Sequence, residues 1–202
     1  MTTALGVVLA GGASRRMGTD KAFVDVHGRA MVERVADALS RGGCRSVVCQ
    51  GGDGRRTAAI GLGTWPDVVG PPGPVGAIRS AVDRVVTEFP DVEVVVVAAC
   101  DLPFLDGGVV TALVDAAAAT GRVAVASTDG RIHLVVGVPV SMAPFLGEAE
   151  CSSFRCLVAD LPSVEVEVAE SAVVNVNTPS DLPGGDRQGH AVGSPSVVSE
   201  AS

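Results

Sequence analysis

The chain has 202 residues, enough for one domain or one domain with a tail. Hydrophobic residues make up 47% and aromatics only 3%, so Val, Ala and Leu must fill the core. Fifteen basic residues against 23 acidic ones give a formal charge of −8, which excludes a general nucleic-acid binder and confines any phosphate site to a small local spot of positive charge.

In chain order, Leu5–Leu9 is an apolar run ending at Gly11-Gly12 and reads as a first buried strand. Arg29–Arg41 places Met31, Val32, Val35, Ala36 and Leu39 at helical spacing, and Gly42-Gly43 stops it. Ser46–Cys49 reads as a second strand. Thr57–Leu62 fits a short helix, and Thr64–Val69 holds a short strand before the glycine- and proline-punctuated turn 70–76. Ile78–Phe89 is again helical, Val92–Ala99 is the clearest central strand, and Gly108–Ala119 is the next helix. Val123–Ser127 and Ile132–Val138 read as two strands joined by a hairpin turn at Asp129-Gly130. Short helices are expected at Ser141–Gly147 and Phe154–Leu161, late strands at Val164–Val168 and Val173–Val176, and a last helical turn at Ser180–Leu182.

Strands alternating with helices predict an α/β fold: a doubly wound three-layer sandwich with a mostly parallel, Rossmann-like sheet. Residues 1–183 form the expected domain. Residues 184–202 are rich in Gly and Ser without periodicity and read as a disordered tail. The odd number of cysteines, five, and the absence of any C-x-x-C pair argue against a disulfide framework and a zinc site. The apolar stretch Leu5–Ala10 has no basic segment before it, and Val94–Cys100 falls far below the ~18–20 residues of a membrane helix. A cytoplasmic protein with no membrane or nucleic-acid partner is expected.

Ligands of such sheets sit beyond the carboxyl ends of the strands. There the run Leu9-Ala10-Gly11-Gly12-Ala13-Ser14-Arg15-Arg16-Met17-Gly18-Thr19-Asp20-Lys21 follows the first strand. Glycines allow a tight turn with backbone N–H groups close to phosphate, and Arg15, Arg16 and Lys21 supply positive charge. It is neither a dinucleotide fingerprint nor a P-loop. Asp101 ends the central strand and precedes Pro103, a position that suits either Mg²⁺ or a helix cap. Asn175 and Asn177, two apart, would share one side of a strand. Gln50 reads as an ordinary loop glutamine.

The run L-A-G-G-x-S-x-R-M-G-x-D-K-A resembles the signature of small-molecule nucleotidyltransferases, most closely the molybdenum cofactor guanylyltransferase family. Gly73-Pro74-Val75-Gly76, Cys100-Asp101-Leu102-Pro103-Phe104 and Asn175-Val176-Asn177-Thr178-Pro179-Ser180-Asp181-Leu182 resemble three later family segments, in the family's order, from about Leu5 to Leu182. The resemblance implies that Leu9, Ala10, Gly11, Gly12, Lys21 and Asp67 contact the nucleotide. It implies that Asp101 holds Mg²⁺ and nucleotide, and that Arg16, Lys21 and Asp101 carry catalysis. Asn175, Asn177 and His133 would lie near the acceptor. Two departures stand out: His133-Leu134 where the family often has His-Pro, and Gln50 where it often has Asn. The implied reaction moves GMP from GTP to the terminal phosphate of a molybdenum-bearing pterin, with Mg²⁺ as cofactor and with molybdoenzymes or cofactor-delivery proteins as onward partners. Leu9-Ala10-Gly11-Gly12 follows the guanylyl pattern rather than the cytidylyl T-A-A-G. The alternatives are a CTP- or UTP-using transferase with another phosphorylated acceptor, and a GTP-binding partner protein without catalysis.

Overall fold

The computed structural model describes residues 2–11, 21–67, 73–177 and 181. Four pairings of its seven-stranded sheet are parallel and two are antiparallel. In chain order the strands are β1 (Ala4–Leu9), β4 (Cys44–Gln50), β5 (Gly63–Trp65), β6 (Val94–Ala99), β7 (Val123–Thr128), β8 (Arg131–Pro139) and β9 (Ser163–Glu167). They lie side by side as β5-β4-β1-β6-β8-β7-β9, and only β8 runs against its neighbours. Two short strands, β2 (Asp25–Val26) and β3 (Arg29–Ala30), pair apart from this sheet.

The central strands are apolar at every position because both faces are covered. In β6, Val94, Val96 and Ala98 point into one apolar layer and Val95 and Val97 into the other. Strand β1 divides likewise, with Val8 in the first layer and Leu5 and Val7 in the second. The first layer is closed by α1 (Met31–Arg41) and α4 (Gly107–Thr120) through Val35, Leu39, Val110 and Leu113. The second is closed by α3 (Pro74–Glu88), α5 (Ala143–Glu148) and α6 (Phe154–Asp160), with Ile78, Val82, Leu146 and Leu157 buried. The short α2 (Gly54–Ala59) rests against β5.

The helix starts follow from local chemistry. The Asp53 carboxylate accepts from Arg55 N–H at 2.9 Å to open α2, and Asp106 accepts from Val109 N–H at 3.0 Å to open α4. Glu33 reaches back to accept from Ala30 N–H at 2.8 Å at the start of α1.

Two expectations change. The helix predicted from Arg29 begins at Met31, because His27 (φ 53°) and Gly28 (φ 81°) turn the chain into the β2–β3 hairpin. The strand expected at Val173–Val176 is absent: after a 3₁₀ turn at Glu170–Ala172 the chain crosses the sheet edge without a partner strand. Val173 and Val176 are buried by packing, and Val176 N–H donates to the Asp101 carbonyl at 2.9 Å. The apolar alternation there reflects anchoring rather than a ladder. The helical turn expected at Ser180–Leu182 and the tail 184–202 lie outside the described residues. Among the described residues no helix is long and apolar enough to cross a membrane.

Candidate active site

The carboxyl ends of β1, β4, β5 and β6 form one edge, and the chain leaving each strand is tied to its neighbour. Ala10 and Gly11 N–H both donate to the Gln50 carbonyl, at 3.0 and 3.2 Å, and Gly51 N–H donates to the Trp65 carbonyl at 3.0 Å. Glycine is required here for space. A Cβ on Gly11 would lie 2.6 Å from Asp67 Oδ1, and one on Gly51 (φ 74°) would lie 2.7 Å from Gly11 Cα. The Asp67 carboxylate therefore lies directly against the backbone that leaves β1.

Asp101 follows β6 by two residues. Its loop is held from outside by Arg34, whose Nε–H donates to the Pro103 carbonyl at 2.8 Å. Lys21 opens a 3₁₀ turn, Lys21–Phe23, that is pinned by buried Ala22 and by the Arg56 guanidinium lying 3.9 Å from the Phe23 ring centre. The Lys21 ammonium donates to Asp101 Oδ2 at 2.7 Å and to Asn177 Oδ1 at 2.6 Å. Asn177 is steadied by Asp181, whose Oδ2 accepts from Asn177 N–H at 2.7 Å. Three segments 80 and 156 residues apart along the chain thus meet at one ion pair.

The Lys21 and Asp101 side chains are only 16% and 20% exposed, so their charges are poorly screened. Among the described residues two bonding capacities remain open. An ammonium has three N–H donors, of which Lys21 uses two there. Asp101 Oδ1 is buried with no hydrogen-bond partner among them. A hard cation fits that oxygen, since Mg²⁺ is held by one or two carboxylates together with substrate phosphate oxygens. Among the described residues no group of three or more His, Cys, Asp or Glu side chains could hold a metal.

From Asp101 a cavity of about 440 Å³ opens toward β8, walled by His133, Leu134, Val173, Asn175 and Asn177. Burial pushes the His133 imidazole below its usual pKa, with Arg131 adding to the effect and Glu170 and Glu167 opposing it. Its Nε2 is buried with no partner among the described residues. The structure therefore brings Lys21, Asp101, Asn175, Asn177 and His133 around one space, with Leu9, Ala10, Gly11 and Asp67 on the β1–β4 side. Gly12, Arg15 and Arg16 lie outside the described residues.

Gln50 corrects its reading as a loop glutamine. Strand β4 runs one residue further than its apolar pattern, pairing Gln50 with Leu9 and Trp65. Gln50 is 3% exposed, and neither amide atom has a partner among the described residues. A buried, unsatisfied amide is costly unless something bonds to it. Arg131 and Glu170, which also line the cavity, were not marked by any motif. Charged residues in turns give no such signal.

Backbone N–H groups and an ammonium can take up phosphate charge, and a part-open carboxylate can hold a cation; here they converge where a parallel sheet presents its ligands. The chain is a nucleotidyltransferase. The MobA-like NTP transferase domain matches residues 6–164, and the chain belongs to that family. A probable molybdenum cofactor guanylyltransferase from Pelotomaculum thermopropionicum is 32% identical, over 90% of this chain and 91% of that protein. The molybdenum cofactor guanylyltransferase of Rhodopseudomonas palustris is 36% identical over a shorter stretch, 65% of this chain and 64% of the relative's length. Among solved structures, the manganese complex of Rv0371C from Mycobacterium tuberculosis shares the fold, with a TM-score of 0.66, 18% identity, and coverage of 89% of this chain and 96% of that one.

Proposed function

We propose that the protein transfers GMP from GTP to the terminal phosphate of molybdenum-molybdopterin, releasing pyrophosphate and forming the guanine dinucleotide cofactor. The observation that carries this reading is the Lys21–Asp101–Asn177 cluster, set between a nucleotide side and an open cavity. The names of the relatives support the substrates.

In this reaction an acceptor phosphate oxygen attacks the α-phosphorus. The bond to the α–β bridging oxygen breaks, and that oxygen leaves with pyrophosphate. A phosphate monoester is already anionic near neutral pH, so no general base is required. Positioning and charge neutralisation do the work. The third N–H of Lys21 donates to the triphosphate, and Arg16 adds a second cation. Asp67 and the Leu9–Gly12 turn hold the nucleoside, with Gln50 offering its unpaired amide. Asn175, Asn177 and His133 orient the acceptor. Mg²⁺, held at Asp101 Oδ1, would supply further charge neutralisation on the phosphates. The manganese complex of the Mycobacterium tuberculosis relative supports a divalent cation.

A pyrophosphate-release assay with GTP, CTP, ATP or UTP, Mg²⁺ and molybdopterin tests the reading. Release with GTP alone, and only with acceptor, is expected. Release with CTP or UTP, or GTP binding without release, would point to another transferase or to a non-catalytic partner protein.

A further inference from the structure

The far wall of the cavity carries an uncommitted pair of opposite charges. Arg131 opens β8 and shares a face with His133, two residues on. Glu170 comes from the 3₁₀ turn after β9. Both line the cavity, and both act electrostatically on His133, so both lie near it. Neither side chain has a hydrogen bond or ion pair among the described residues. The neighbouring Glu167 is committed, accepting from Ser127 Oγ at 3.1 Å and from Asp129 N–H at 3.0 Å. Leu134, Val173 and Val174 add apolar surface to a lining that also holds His133, Asn175 and Asn177. Strand β8, which carries Arg131, lies next to β6, and β9 runs on to the turn that carries Glu170. A cavity of about 440 Å³ has room for a bicyclic ring whose phosphate arm ends at Asp101.

A cavity lined by both an anion and a cation favours a ring edge that offers donors next to an acceptor. A 2-amino-4-oxopyrimidine ring presents two N–H donors next to one another. A carboxylate accepts from both. Beside them a pterin presents its 4-oxygen, an acceptor that suits a guanidinium. We infer that Glu170 is a specificity-determining residue that accepts from the 2-amino and N3–H groups of the acceptor's pterin, with Arg131 donating to the adjacent 4-oxygen. The inference rests on the acceptor reading above. Guanine has a similar edge, but the nucleotide side lies across β1, at Leu9, Gly11 and Asp67, away from this wall.

The test is a fluorescence titration of the full chain with pterin and with lumazine, which has an oxygen in place of the 2-amino group. Hydrogen bonds to a charged group predict that the wild type binds pterin roughly 10- to 100-fold more tightly than lumazine. Glu170→Gln should abolish the preference and Glu170→Asp should retain part of it. In turnover, Glu170→Gln should raise the KM for molybdopterin while leaving the KM for GTP and the kcat near wild type. Equal binding of the two rings, no binding of pterin, a preference that survives Glu170→Gln, or a change in the KM for GTP instead would overturn the inference. The two readings fail separately. Wild-type turnover with GTP and molybdopterin that Glu170→Gln leaves unchanged removes only the inference. Pterin selectivity lost in Glu170→Gln, without any GTP turnover, removes only the proposed reaction.

Discussion

Among single residues of the site, Gly11 has little freedom. Its backbone faces the Asp67 carboxylate with no room for a methyl group. Gly11→Ala is expected to push Asp67 away, raising the KM for GTP by roughly 10-fold or more, as displacement of one charge-assisted hydrogen bond implies, while the thermal midpoint moves little. Steady-state kinetics beside a melting curve would check it, and an unchanged KM would show that Asp67 takes no part in binding. Lys21, Asp101 and Asn177 were legible as motif residues, and the structure brings them into direct contact. Gln50 was not, because an apolar pattern ends one residue before its strand does. Arg131 and Glu170 were not, because only the fold puts the ends of β8 and β9 beside one cavity.

Most elements could be read from periodicity, since strands covered on both faces are continuously apolar and α1 keeps a clean apolar stripe. The failures have local causes. Positive φ at His27 and Gly28 sets a hairpin where an amphipathic pattern suggested helix, and Val173–Val176 buries side chains without joining the sheet. Helix α1 also fixes the site at a distance, because Arg34 holds the loop after β6 while Leu39 anchors the opposite face in the core. Leu39 is fully buried and packs within 3.1 Å of where a Cβ on Gly6 would stand. Leu39→Ala should destabilise the fold by about 2–5 kcal/mol through lost burial and a residual cavity, read as a lower urea midpoint. A loss below about 1 kcal/mol would mean that α1 packs more loosely than the contacts indicate.

For the whole molecule, the sheet order sets the β1–β4 loops on one side of β6 and β8, β7 and β9 on the other, with Asp101 in the loop just after β6; the proposed reaction uses the first side for the nucleotide and the second for the acceptor. The doubly wound class was legible from alternating strands and helices. The reversed direction of β8 was foreshadowed only by the Asp129-Gly130 turn, whose residues take φ 48° and 73°. The segment 184–202 is rich in Gly and Ser and carries no apolar periodicity. Deleting it should leave the melting temperature and turnover close to those of the full chain, and a large loss of either would show that it contributes to the fold. The central claim is that charge neutralisation at Asp101 drives nucleotidyl transfer. It is tested most directly by measuring Mg²⁺-dependent pyrophosphate release from GTP and molybdopterin for the wild type and Asp101→Asn, with circular dichroism on both. The account predicts a loss of at least roughly 100-fold in kcat with an unchanged spectrum. Near wild-type release by a folded Asp101→Asn variant would contradict it.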